Sequence, residues 1–384
     1  MSVRVAIDAR WIFPQLSGIG AYTQALLRAW AQCPDLPVEL TVLFADAAIQ
    51  KRTAAICGFD RAPAIRCRHV PCGPLSPRSQ IVLPRLLALE RIHLFHSPNY
   101  MVPLLARVPL LATIHDLIPL RFPHYTPRAA KVRLLPLYRG LMRAVAHRCC
   151  ALITDSEASR RDIQALLVPP RGAGSVHVVP CGVDDRFFAA PARSRPARTA
   201  PFRLLYVGRA DPYKNLTGVV ECLRLLRESH GLDAHLQIVG SPDPRYPEPQ
   251  RRAAAAGLAD RLHWTPRLSD AELLGAYREA DCLVHLSLYE GFGLPVLEAM
   301  AAGLPVVCSD RGALPEVAGD AAVMVDPDDL PLAAVAVRDL LLDPARRDAL
   351  AARGRERAAR FTWADAAAAT LRIYLQYATR AGEP

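Results

Sequence analysis

Leu288-Tyr289-Glu290-Gly291-Phe292-Gly293-Leu294-Pro295-Val296-Leu297-Glu298-Ala299-Met300-Ala301-Ala302-Gly303-Leu304-Pro305-Val306-Val307 reads as a strand end, a glycine-bearing loop, a short helix, a stop and a new strand. Pro295 suits the start of the helix, Gly303 the position just past its end, and Pro305 forbids continuation. The spacing therefore predicts a helix of about two turns. Without Cβ atoms at Gly291 and Gly293, the amides ahead of that helix can approach an anion that its dipole favours, with Phe292 and Leu294 in the same frame. Glu290 and Glu298 flank this seat. Against phosphate they would repel, so each is read as an acceptor of hydrogen bonds from ligand hydroxyls.

Outward from this stretch, the same alternation recurs. Short apolar segments at Val3–Ile7, Val38–Phe44, Leu94–His96, Leu110–Ile114, Ala151–Thr154 and Val176–Val179 are separated by helix-length stretches. The pattern restarts with Phe202–Val207, Leu236–Val239, Cys282–Leu286, Val306–Cys308 and Ala322–Val325. Strands spaced in this way predict parallel sheets. A loop through Ser17-Gly18-Ile19-Gly20 precedes a helical pattern from Ala21 to Ala31, and Ser269-Asp270-Ala271-Glu272 has capping-box spacing. Residues 189–201, rich in proline and poor in large apolar side chains, are read as a linker. The expected domains are 1–188, joined by a terminal helix over 363–384, and 202–362.

The 384 residues suit two cores. No apolar run reaches the roughly 18 residues of a membrane span, and no secretory apolar region opens the chain, so a cytoplasmic protein is expected. Ten scattered cysteines lack CxxC spacing and are read as reduced thiols. A net charge of +10 fits an anionic partner. Stacking aromatics and nucleic-acid modules are absent, so nucleic acid is not expected. Residues 128–148 interleave arginines with leucines, which fits either an anionic membrane surface or a solvated helix face.

The Glu290/Glu298 segment resembles the Glu-x7-Glu signature of the retaining glycosyltransferases of family four. The same resemblance extends through Ser17-Gly18-Ile19-Gly20, Thr113-Ile114-His115-Asp116, Thr154-Asp155-Ser156, Pro180-Cys181-Gly182-Val183-Asp184, Tyr206-Val207-Gly208-Arg209 to Lys214-Asn215-Leu216, and Phe361-Thr362-Trp363. Ser17 stands where the family usually has a glycine.

The resemblance implies an α/β GT-B fold, with two Rossmann-like domains whose parallel sheets face a cleft. It implies a hexosyltransferase that needs neither cofactor nor metal. The donor is a nucleotide sugar, GDP-mannose favoured over UDP-sugars, and the acceptor is a saccharide or lipid-linked intermediate of surface glycan synthesis. Glu290 would bind the transferred sugar and Glu298 the ribose. Arg209 and Lys214 would hold the diphosphate, Gly18 and Gly20 would approach it from the first domain, and His115 would lie near sugar and acceptor with Asp116 in support. A nucleotide-sugar epimerase, a phosphorylase or a non-catalytic anion-binding protein are the alternatives.

Overall fold

The apolar segments pair into two parallel sheets in the computed structural model, which describes residues 2–128, 130–168, 176–189, 201–266 and 268–379. The first sheet comprises β1 (Val3–Asp8), β2 (Val38–Phe44), β3 (Ile65–His69), β4 (Leu94–Ser97), β5 (Leu110–Thr113), β6 (Ala151–Thr154) and β7 (Val176–Val178), in the order β3-β2-β1-β4-β5-β6-β7. The second comprises β8 (Phe202–Val207), β9 (Ala234–Val239), β10 (Leu262–Thr265), β11 (Cys282–His285), β12 (Val306–Ser309) and β13 (Val323–Val325), in the order β10-β9-β8-β11-β12-β13. β4, β5, β6, β11 and β12 are buried along their whole length, as strands covered by helices on both faces must be.

Strand order reverses between β1 and β4 in the first sheet and between β8 and β11 in the second. In open parallel sheets the loops at the carboxyl ends of such strands diverge and leave room for a ligand. Lys214 follows β8 and Glu290 follows β11, so the second reversal lies under the segment that carries Glu290 and Glu298.

β3 and β10 carry no signal of the kind that marked the other strands. Both are edge strands, and their residues Ile-Arg-Cys-Arg-His and Leu-His-Trp-Thr are largely exposed or half-buried, so polar residues interrupt the apolar run. The helix expected from Ala21 begins instead at Gly18, because the Ser17 hydroxyl accepts the Gly20 N–H at 3.2 Å and caps the first turn. Gly18 and Gly20 are thus helical residues. Gly20 packs against the first loop, where an added Cβ would lie 3.1 Å from the Trp11 carbonyl oxygen.

The chain divides into two units: Met1–Leu117 with Leu134–Gly182 and Thr362–Pro384, and Ile118–Arg133 with Val183–Phe361. The crossing thus falls ahead of residue 188, and nearly all of the expected linker lies outside the described residues. Pro136 stands in the first turn of the helix Leu135–Arg148 rather than interrupting it. Tyr138, Met142, Val145 and Ala146 of that helix are buried, while Leu134, Leu137, Arg139 and Arg143 are exposed.

The terminal helix Trp363–Thr379 closes the first unit. The Trp30 indole N–H donates to the Ala367 carbonyl at 3.1 Å, and His96 bridges Tyr374 Oη at 2.6 Å and Thr113 Oγ1 at 2.8 Å. Burial pushes His96 down to about 3, so this core imidazole is neutral. At the crossing, Val183 N–H donates to the Phe361 carbonyl at 3.0 Å. Gly182 lies so close to Trp363 that a Cβ would be 2.2 Å from its backbone nitrogen. All ten cysteines are free and none is exposed.

Candidate active site

The loop after β8 is shaped by its own side chains. Gly208 has φ +154°, and Tyr206 Oη reaches back to donate to the Arg209 carbonyl at 2.8 Å. A single 3₁₀ turn, Pro212–Lys214, follows, and Asn215 then takes a left-handed conformation that asparagine tolerates. The Asn215 side chain caps the helix Leu216–His230 by accepting the Gly218 N–H. Leu288 N–H donates to the Tyr213 carbonyl at 2.7 Å, tying this loop to the one after β11. That one backbone bond sets Lys214 beside Glu290.

Lys214 Nζ donates to both Glu290 oxygens at 2.7 Å. Glu290 is buried and its Oε1 also lies 3.0 Å from His285 Nε2. Burial would push this carboxyl up, but the Lys214 ammonium and the His285 hydrogen bond outweigh it and hold it at about 2. Glu290 is therefore a carboxylate at any ordinary pH. Its backbone is pinned from β12: Ala313 N–H donates to the Glu290 carbonyl at 3.1 Å, and Gly312, at φ +64°, leaves no room for a Cβ, which would lie 2.7 Å from that oxygen.

Gly293, at φ +112°, starts the helix Leu294–Ala301, with Pro295 in its first turn and Gly303 just beyond its end. Val296 and Leu297 both donate to the Gly293 carbonyl, leaving the amides just before them as the open end of the helix. Gly291 and Phe292 are buried beneath that end, the Phe292 ring meeting Phe361 edge-on.

Glu298 is anchored separately. Tyr277 Oη donates to its Oε2 at 2.7 Å, and burial raises its carboxyl from 4.5 to about 7 despite that bond. A carboxyl whose folded-state value is raised is stable while protonated, and that stability is lost as pH climbs through the raised value. Glu298→Gln is expected to unfold at the same denaturant concentration as wild type below pH 4.5 and at a higher one above pH 7. A constant difference across that range would exclude the assigned cause.

Arg209 is not part of the Lys214–Glu290 cluster. Its guanidinium pairs with Asp211 at 2.8 Å and is 71% exposed, so the expected basic pair is divided between a half-buried cation and a largely exposed one. A cavity of about 320 Å³ opens on this loop, walled by Asp211, Pro212 and Thr217 and by His124, Arg128 and Tyr246.

In the first unit, His115 follows β5. Its Nδ1 lies 2.6 Å from Asp155 Oδ2 and its Nε2 3.2 Å from the Pro98 carbonyl. Both partners are acceptors and so favour the protonated, positively charged ring. Burial opposes that charge, but Asp155, helped by the Asp116 charge, raises the group. The Tyr22 ring meets His115 edge-on at 4.9 Å. Asp116 is half-buried beside it. Asp155, His285 and Tyr277 received no role from the sequence. Asp155 belonged to a quoted motif, but His285 lies inside an apolar strand and Tyr277 inside a helix, where both read as core.

Two parallel-sheet units, each with polar groups clustered at its strand ends, define the class of open α/β proteins that bind ligands where strand order reverses. Residues 16–187 match the family model described as Glycosyltransferase Family 4, and residues 192–357 that of Glycosyl transferases group 1. The chain is 31% identical over 294 residues to O-antigen chain mannosyltransferase B of Escherichia coli, covering 73% of this chain and 74% of that one. It is 35% identical over 278 residues to the MMP alpha-(1->4)-mannosyltransferase of Mycolicibacterium hassiacum, covering 69% of this chain and 65% of that one. The solved structure of Anabaena HepE in complex with UDP and glucose superposes with a TM-score of 0.73 at 16% identity, over 97% of this chain and all of that one. The chain belongs to the family 4 glycosyltransferases and has their GT-B fold.

Proposed function

We propose that the protein transfers a hexose, mannose first among candidates, from a nucleotide diphosphate sugar to a saccharide or lipid-linked acceptor, with retention at the anomeric carbon. The observation that carries this reading is the Lys214–Glu290 pair at the strand-order reversal: a half-buried cation suited to phosphate and an ionised carboxylate suited to sugar hydroxyls. The relatives named as mannosyltransferases favour mannose, and the UDP of the superposed structure supports a nucleotide donor.

In this reading Lys214, Arg209 and the open amides at Gly293 and Leu294 neutralise the diphosphate, which eases its departure. The bond from the anomeric carbon to the phosphate oxygen breaks, and one from that carbon to the acceptor oxygen forms on the same face. The leaving diphosphate oxygen takes the acceptor proton. His115, held by Asp155 and the Pro98 carbonyl, lies near the transferred sugar and the acceptor in this reading. Glu298 accepts from ribose hydroxyls. Surface glycan synthesis is the role such a transfer fits.

Thermal unfolding with a panel of GDP- and UDP-sugars tests the proposal. One donor at about 100 times its Kd should stabilise the fold by roughly 2.7 kcal/mol. A panel that leaves Tm unmoved throughout would sink the reading.

A further inference from the structure

We infer that His285 is the positioning residue that keeps the Glu290 carboxylate aimed at the transferred sugar once a donor diphosphate draws Lys214 away; this rests on the nucleotide-sugar reading above. A carboxylate offers about four lone-pair sites. Lys214 takes one on each oxygen and His285 one on Oε1, which leaves a single site on Oε2. Two duties thus conflict: Lys214 cannot serve the diphosphate fully while it spans Glu290, and Glu290 cannot accept two sugar hydroxyls while it is spanned.

Donor binding resolves the conflict by moving Lys214 onto phosphate, which frees two lone pairs. It also strips Glu290 of its main counter-charge, and the side chain must then be held by something else. His285 is what remains. It is fully buried at the end of β11, its ring lies nearly parallel to Tyr206 with an interplanar angle of 23°, and Ser287 Oγ sits 3.2 Å from the same Nε2. Because Glu290 only accepts, Nε2 carries the hydrogen.

The other ring nitrogen explains why this is more than core packing. His285 Nδ1 is buried and finds no partner among the described residues. A buried polar atom left unsatisfied destabilises a fold, and an aliphatic side chain would fill the same place at less cost. The one ring N–H on Nε2 is spent on Glu290, with Ser287 Oγ beside it. The Glu290 backbone is fixed independently by Gly312 and Ala313, so losing His285 frees the carboxyl group and not the loop.

The test compares GDP-mannose with GDP, or a UDP-sugar with UDP if the screen selects uridine, by calorimetry on the whole chain. His285→Leu should leave nucleotide diphosphate affinity within about twofold of wild type, and weaken nucleotide-sugar affinity and kcat/KM roughly 10- to 100-fold, the loss expected for one hydrogen bond to a charged group. His285→Gln, whose amide can reach Oε1, should recover most of both. Equal weakening of both ligands, or of neither, overturns the inference. If the leucine variant does not fold, glutamine against asparagine decides: normal sugar affinity in the first and weakened affinity in the second supports His285, and equal affinities refute it. A folded wild type that binds no nucleotide sugar overturns the functional reading itself, an outcome distinct from variants that all match a binding wild type.

Discussion

Lys214→Ala is expected to lower turnover by roughly 10²- to 10³-fold, the usual consequence of removing one preorganised charge-stabilising donor. It also leaves Glu290 buried without its counter-charge, so stability should fall by about 3–5 kcal/mol near neutral pH. The wild-type contribution comes from a carboxyl held at about 2 in the fold, below its ordinary 4.5. It is therefore complete above pH 4.5 and lost as pH falls through about 2. The difference in denaturant midpoint between wild type and Lys214→Ala should accordingly shrink from pH 5 downward. Removing both charges, as in Lys214→Met with Glu290→Gln, should destabilise less than Lys214→Ala alone, because no unpaired charge remains. Turnover of Lys214→Ala within tenfold of wild type would take the diphosphate away from this cation.

Gly182→Ala should be the most damaging single methyl group in the first unit. Its Cβ would lie 2.2 Å from the Trp363 nitrogen and 2.5 Å from the Thr362 carbonyl carbon, and both are backbone atoms with no rotamer to escape into. Overpacking of this kind costs about 3 kcal/mol. For a unit of roughly 150–250 residues that is a loss of about 6–12 °C in Tm, measurable by calorimetry. The displaced Trp363 ring also contacts Tyr22, edge-on at 5.8 Å, and Tyr22 in turn contacts His115, so activity should fall with it. A variant with wild-type Tm would show that the two backbones can separate freely.

What could be read from the residues follows from how strongly each position constrains its neighbours. Doubly covered strands such as β5 and β11 announce themselves as apolar runs, and the capping box at Ser269 and Glu272 forms as its spacing requires. Edge strands β3 and β10 do not, because arginine and histidine on an exposed edge suppress the apolar pattern. The same logic separates the site residues. Glu290 and Lys214 stand in loops, where a charged residue has no packing role and reads as chemistry. His285 and Tyr277 serve the site from within a strand and a helix, where burial is already the explanation for their presence. The place of the crossing has a third reason to be silent: at Gly182–Val183 it is defined by contact with Phe361 and Trp363, far along the chain, and no local composition records it.

The terminal helix has a bearing on biosynthesis. Trp30, His96 and His177 of the first unit complete their contacts with Ala367, Tyr374 and Tyr377, residues translated only after the whole of the second unit. On the ribosome the earlier-made sheet therefore lacks these three contacts until the second unit has been translated. The half of the molecule whose synthesis begins first is thus the last to receive all of its residues.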